Sequence, residues 1–290
     1  LQFLPVGSIS DWYRLLRIDR PVGYWLLLWP TMWGLFAGAQ ELPSFKNLFI
    51  FVAGVFLMRS AGCVINDFAD REFDPHVERT KQRPVAAGNI APGAALAGFI
   101  LMMLTALLLV SLTSPYVIAL SVVGAVLAGL YPFLKRYTHF PQAWLGMAFG
   151  WGAVMAWASE TGSVFDSPVP WLLFFANVCW SLSYDTAYAM GDRADDVKIG
   201  VKSTAIWFGE RAVVAVVLLG MATMLLLVMA ASLVDGFWVA AGWGAAMVLQ
   251  VMLCARLMRE GEPWGFPFFL NSHWVGALFA FGLIQQGLFG

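Results

Sequence analysis

From Pro84 to Leu134 the chain carries no charged residue at all. A soluble globule is about a quarter charged. This 290-residue chain is 12% charged and 60% hydrophobic, with a mean hydropathy of +0.73. Its solvent is therefore a bilayer. Crossing one as a helix takes about 20 apolar residues, and nine runs qualify: 21–40, 46–66, 91–112, 116–134, 141–159, 168–187, 211–233, 236–256 and 267–288. Interior Gly and Pro do not disqualify them, because neighbouring helices satisfy the freed backbone groups. Thr113-Ser114-Pro115 is a weak break between the third and fourth runs, and the ninth can be read as two shorter segments. Alternation of the loops favours nine. The expected fold is all-α: a polytopic membrane bundle forming a single domain over 1–290.

The basic residues sort to one side. Arg14, Arg17 and Arg20 precede the first run; Arg71, Arg79, Lys81 and Arg83 follow the second; Lys135 and Arg136 follow the fourth. Arg193, Lys198, Lys202 and Arg211 follow the sixth, and Arg256 and Arg259 follow the eighth. Lys46 alone falls in an opposite loop, and Arg59 lies within the second run. By the positive-inside rule the amino terminus faces the cytoplasm. The first 20 residues carry charges throughout and lack a compact apolar core before a small-residue cleavage site, so no signal peptide is expected there. Cys63, Cys179 and Cys254 are widely spaced in apolar runs and read as buried thiols; His76, His139 and His273 share no metal-ligand spacing.

Two acidic clusters break the oily pattern, each just after an apolar run. The windows 66–83 and 185–202 hold nine of the chain's 18 acidic residues and seven of its 17 Lys and Arg. Carboxylates at the edge of a low-dielectric region are costly unless a cation or basic group neutralises them. Asn66, Asp70 and Asp74 follow i, i+4, i+8 and so share one helical face, with Pro75 ending the helix. Arg59 lies two turns deeper on that stripe. Asp185, Tyr188, Asp192 and Asp196 follow i, i+3, i+7, i+11 on the sixth run, where Gly191 is expected to loosen the helix. Both clusters fall on the cytoplasmic side, as a shared site requires. Mg²⁺ takes oxygen ligands, retains waters and binds through a few carboxylates plus substrate phosphates. Two facing stripes can hold two such ions with a diphosphate between them, and Arg79, Arg83, Lys135 and Lys202 (with Lys81 and Lys198 nearby) are the candidate diphosphate cations.

At these residues the chain resembles the UbiA superfamily of intramembrane aromatic prenyltransferases, in particular the branch that prenylates 4-hydroxybenzoate in ubiquinone synthesis. The matching strings are RIDRPVGYWLLLWP (17–30), NDFADREFDPHVERTKQRPVAAG (66–88), YPFLKRYTHFPQAWLG (131–146) and YDTAYAMGDRADDVKIGVKST (184–204). The resemblance implies nine transmembrane helices around a central cavity, in a bundle like that of soluble isoprenyl diphosphate synthases. It places Mg²⁺ and the diphosphate of a polyprenyl donor on Asn66, Asp70, Asp74, Asp192 and Asp196, with Asp67 and Asp195 in adjacent places. Metal-assisted loss of diphosphate leaves an allylic cation, which the ring carbon ortho to the phenol oxygen attacks. The aromatics of the cavity shield that cation from water, Tyr188 being the one ring singled out. An acceptor carboxylate needs a basic partner, for which Arg136 and Arg20 are the candidates. The expected setting is the inner membrane of a bacterium, with no nucleic-acid partner.

Three readings compete with an enzyme acting on 4-hydroxybenzoate. The same fold can prenylate dihydroxynaphthoate, homogentisate or haem. A Mg²⁺ or phosphate transporter would also use intramembrane carboxylates, but distributed through the membrane depth; here they cluster at one face. A lipid phosphotransferase is argued against by the absence of a DGxxAR-type string.

Overall fold

The computed structural model describes residues 5–76, 80–134, 137–198 and 200–290; for His76, Pro132, Phe133 and Asp195 only the backbone is described. A short helix α1 (Ile9–Leu15) leads into α2 (Val22–Ala39), α3 (Phe45–Ala69), α4 (Pro92–Val110), α5 (Pro115–Leu134), α6 (Pro141–Thr161) and α7 (Val169–Lys198). A second short helix, α8 (Thr204–Phe208), precedes α9 (Ala212–Val234), α10 (Phe237–Glu260) and α11 (Gly265–Phe289). No strand occurs among the described residues. Each of the nine apolar runs coincides with one of the nine long helices described. Thr113-Ser114-Pro115 is a true break, and the ninth run is one unbroken helix.

Five helical stretches are long and apolar enough to cross a membrane by length and composition alone: Phe45–Ala69, Pro92–Val110, Thr204–Val234, Phe237–Glu260 and Glu262–Phe289. Helices α2, α6 and α7 fall short for a reason visible in the packing. They are inner helices, α2 crossing α6 and α6 crossing α7, so their side chains meet protein rather than lipid. Glycine lets the backbones approach. A Cβ at Gly34 would run into the Ala153 carbonyl of α6, and one at Gly146 would meet the Val178 backbone of α7. Trp33, Trp180, Tyr184, Phe268 and Phe279 are fully buried between α2, α7 and α11. The Trp33 indole donates to the Gly276 carbonyl at 2.9 Å, satisfying a donor that has no water to turn to. Helix α4 is the opposite case: Ala95 is its one buried residue, while Leu101, Leu104 and Leu108 stand exposed as lipid-facing side chains would.

Both acid-bearing helices end differently from the sequence expectation. α3 stops at Ala69, and Asp70 takes a non-helical φ of −92° and ψ of 1°. Asp74 sits in a separate 3₁₀ turn, Asp74–His76. The Asp70 amide still donates to Asn66 O at 2.9 Å and the Asp74 amide to Asp70 O at 2.9 Å, so the three side chains keep a one-turn spacing. α7 is not loosened at Gly191. It runs 30 residues without a break and carries the whole second cluster, about 45 Å at 1.5 Å per residue.

α1 is a small capping element at the same end of the bundle. Ser8 and Asp11 form a reciprocal cap, the Asp11 amide donating to Ser8 Oγ at 3.2 Å and the Ser8 amide to Asp11 Oδ2 at 2.9 Å. The Ser8 hydroxyl and amide hold the Asp11 carboxyl well below the usual carboxylate range. Leu15 packs with Val64, Val85, Ile90 and Ala95, which fastens α1 to α3 and α4.

Candidate active site

A cavity of about 380 Å³ opens among α2–α6, within the usual range for small-molecule sites. Its wall on α3 runs from Ile50 to Gly62, about 18 Å of helix. The lining is overwhelmingly apolar, with Val55, Met58, Met103 and Phe149 among its residues. At the end nearest the first acidic cluster stand Arg59 and Tyr131. The Arg59 Nε is buried and has no hydrogen-bond partner. An unsatisfied guanidinium N–H in an oily wall is a strong demand for an anion.

Tyr131 marks where the two clusters meet. It lies within electrostatic reach of Asp185 and Tyr188 on α7, of Arg59 on α3 and of Asp70 at the end of α3. Asp185 in turn feels the charges of Arg59 and Asp192. Asn66 donates to Asp70 Oδ2 at 3.3 Å. Asp70 and Asp74 are buried, while Asp192 and Asp196 are half-buried on α7. The Tyr188 ring packs on Phe269 at 5.0 Å between centroids and on Phe266 at 6.0 Å.

The structure gives the flanking basic residues unequal places. Arg83 is drawn into the first cluster: its Nη1 is 2.9 Å from Asp74 Oδ2 and 3.2 Å from Asp67 Oδ1. Burial works against the Arg83 charge, but Asp67 and Asp74 more than offset it and hold its pKa above the ordinary value. Arg17 donates to both oxygens of Asp67, at 2.8 and 3.0 Å. Lys202 donates to the Tyr137 carbonyl at 3.2 Å, tying the segment before α8 to the loop after α5. Arg20 is not brought to the cavity; its side chain is 80% exposed beside Asp19. Arg79, Lys135 and Arg136 lie outside the described residues, as does the Asp195 side chain.

Three features escaped sequence reasoning. Tyr131 carries no pattern of its own. The pairing of Asp67 with Arg17 and Arg83 joins residues up to 50 positions apart. Arg59 did give a signal, an arginine within an apolar run, but not the cavity it faces.

The donor set suits a hard cation. Asn and Asp oxygens supply it, and among the described residues no three His, Cys, Asp or Glu side chains converge as a closed metal cage. Mg²⁺ binds such oxygen donors while keeping waters and taking its other ligands from a phosphorylated substrate.

The UbiA prenyltransferase family matches this chain over residues 27–273. The chain belongs to that family. A 4-hydroxybenzoate octaprenyltransferase of Ectopseudomonas mendocina is 48% identical over 276 residues, covering 94% of this chain and 92% of that protein. A 4-hydroxybenzoate octaprenyltransferase of Alkalilimnicola ehrlichii is 50% identical over 279 residues, covering 93% and 92%. Among solved structures, a UbiA homologue from Aeropyrum pernix superposes with a TM-score of 0.77 at 20% identity, covering 88% of this chain and 96% of that one. A UbiA homologue from Archaeoglobus fulgidus bound to GPP and Mg²⁺ gives a TM-score of 0.71 at 18% identity, covering 95% and 100%. The fold is the UbiA helical bundle, and the chain is an integral membrane protein.

Proposed function

We propose that this UbiA family member, acting as one domain over residues 1–290, transfers a polyprenyl group from polyprenyl diphosphate to 4-hydroxybenzoate, a step of ubiquinone biosynthesis. One observation carries the reading: an apolar cavity presents Arg59 and Tyr131 at one end, and Asp70 of α3 and Asp185 of α7 lie within electrostatic reach of that tyrosine. The relatives of near-half identity named 4-hydroxybenzoate octaprenyltransferase support the same substrate pair.

The residues divide the work by chemistry. Asn66, Asp70 and Asp74 on one side and Asp192 and Asp196 on the other would hold Mg²⁺ against the diphosphate. When bound, Mg²⁺ draws electron density from the diphosphate oxygens and makes diphosphate a better leaving group. The allylic C–O bond breaks with its electron pair leaving on diphosphate. The ring carbon ortho to the hydroxyl then forms the new C–C bond, and the ring proton is lost. The apolar walls take the prenyl chain and exclude water from the allylic cation. The Tyr188 ring, held by Phe266 and Phe269, presents a π surface near the reacting end.

Arg59, with its unpartnered Nε on the cavity wall, is the residue we assign to the acceptor carboxylate. It takes that role from Arg20, which stays on the surface. Arg83, held by Asp67 and Asp74, neutralises the first cluster; with Lys202 it is assigned to the diphosphate, as are Arg79 and Lys135 on the sequence pattern alone. All nine long helices cross the bilayer in this reading. The basic loops, the acidic clusters and the amino terminus face the cytoplasm of a bacterial inner membrane.

The test is direct. Membranes containing the protein are incubated with labelled polyprenyl diphosphate, 4-hydroxybenzoate and Mg²⁺, and the prenylated benzoate is sought. Product with dihydroxynaphthoate, homogentisate or haem, and none with 4-hydroxybenzoate, would keep the chemistry and overturn the acceptor.

A further inference from the structure

Asp67 is the most deeply buried acid of the first cluster, with a side chain 1% exposed. It follows Asn66 directly, so on α3 it is turned about 100° away from the Asn66–Asp70 face. Its surroundings are those of an anchor. Arg17 Nη2 donates to both carboxylate oxygens, at 2.8 and 3.0 Å, and Arg83 Nη1 lies 3.2 Å from Oδ1. The same Arg83 nitrogen reaches Asp74 Oδ2 at 2.9 Å. Arg17–Asp67–Arg83–Asp74 is thus a continuous chain of alternating charge, two cations and two anions. It links the segment after α1, helix α3, the 3₁₀ turn and the loop before α4.

Arg17 is the residue that closes α1, its amide donating to Arg14 O and the Ile18 amide to Tyr13 O, both at 3.1 Å. It takes the left-handed φ of 61° usual for a residue just past a helix end. Its Nη1 donates to the Arg14 carbonyl at 2.7 Å, which aims the remaining nitrogen at Asp67.

We infer that Asp67 is a positioning residue for the diphosphate site: it is not a metal ligand, but holds Arg83 where it orients Asp74 and keeps Arg17 from collapsing onto Asp70 and Asp74. This rests on the reading of the cluster as a Mg²⁺–diphosphate site. Removing the Asp67 charge frees Arg17, half-buried beside the remaining carboxylates, to compete with the cation. Removing Arg17 as well relieves that competition, because Arg83 and Asp74 then remain as a neutral pair.

The experiment is a two-residue cycle on the full-length protein purified in detergent, read as the Mg²⁺ concentration needed for pyrophosphate to raise the thermal unfolding midpoint. Asp67→Asn is expected to need about 10–100-fold more Mg²⁺, the range typical when a partner that orients a metal ligand is lost. Asp67→Asn combined with Arg17→Gln is expected to return most of the way to wild type, a non-additivity that a metal ligand would not give. Should Asp67→Asn fail to fold, the double variant and Arg17→Gln alone still decide the matter: a normal Mg²⁺ requirement in the double variant supports positioning. A double variant as impaired as Asp67→Asn, or one with no response at any Mg²⁺ concentration, would make Asp67 a ligand. An Asp67→Asn protein with a wild-type Mg²⁺ requirement would remove any role. A wild-type protein that ignores Mg²⁺ and pyrophosphate together would overturn the reading of the site itself.

Discussion

Arg193 bridges α7 to Glu262, its Nη2 2.9 Å from the carboxylate, while its Nη1 donates to the Gly209 carbonyl at 2.9 Å. Arg193 directly follows Asp192, so this brace fixes the end of the helix that carries the second acidic cluster. Both partners are about one-third exposed, and such pairs contribute little individually. Arg193→Ala is expected to lower the thermal midpoint in detergent by about 2–4 °C, corresponding to roughly 1 kcal/mol. No change in the midpoint would mean that packing of α7 alone sets its position.

Turnover should require Mg²⁺, with Ca²⁺ a poor substitute. The open carboxylate set suits a small octahedral ion that retains water, and Ca²⁺ prefers six to eight oxygens in a looser shell. Undiminished product formation in excess chelator would refute this.

Asp70→Ala and Asp192→Ala should each abolish turnover while leaving membrane insertion intact. Neither side chain belongs to the apolar core that holds the helices together. The measurement is product formation beside the amount of folded protein recovered from membranes. A variant that keeps most of its activity would remove that residue from the metal site.

Arg59→Ala should weaken use of 4-hydroxybenzoate by roughly 10–100-fold, the equivalent of losing one charge-assisted hydrogen bond of about 1.5–3 kcal/mol. The polyprenyl diphosphate dependence should change less. Kinetics varying one substrate at a time separate the two, and a defect confined to the diphosphate would move Arg59 into the phosphate clamp.

Gly34→Ala tests the fold instead of the chemistry. The added Cβ meets the Ala153 carbonyl, a backbone atom that cannot rotate away. Forcing α2 from α6 should cost about 1–3 kcal/mol and reduce accumulation of folded protein. Gly54→Ala, with open space at its Cβ, is the matched control.

The linear chain determined a good deal by itself. Hydrophobic run length is a local property, so nine long helices and the break at Thr113-Ser114-Pro115 were legible before any contact was known. The one-turn spacing of Asn66, Asp70 and Asp74 was equally local, and survived the early end of α3 because backbone hydrogen bonds keep the turn. Tertiary structure decided the rest. Whether an acid faces a ligand or an arginine depends on residues far away in sequence: Asp67 and Asp70 are three positions apart, yet one is clasped by Arg17 from another segment and the other lies within reach of Tyr131. Arg59 became a cavity residue, and Arg20 a surface one, through how five helices pack around an empty volume. Charge and periodicity specify which side chains need partners; only packing in three dimensions brings the partners to them.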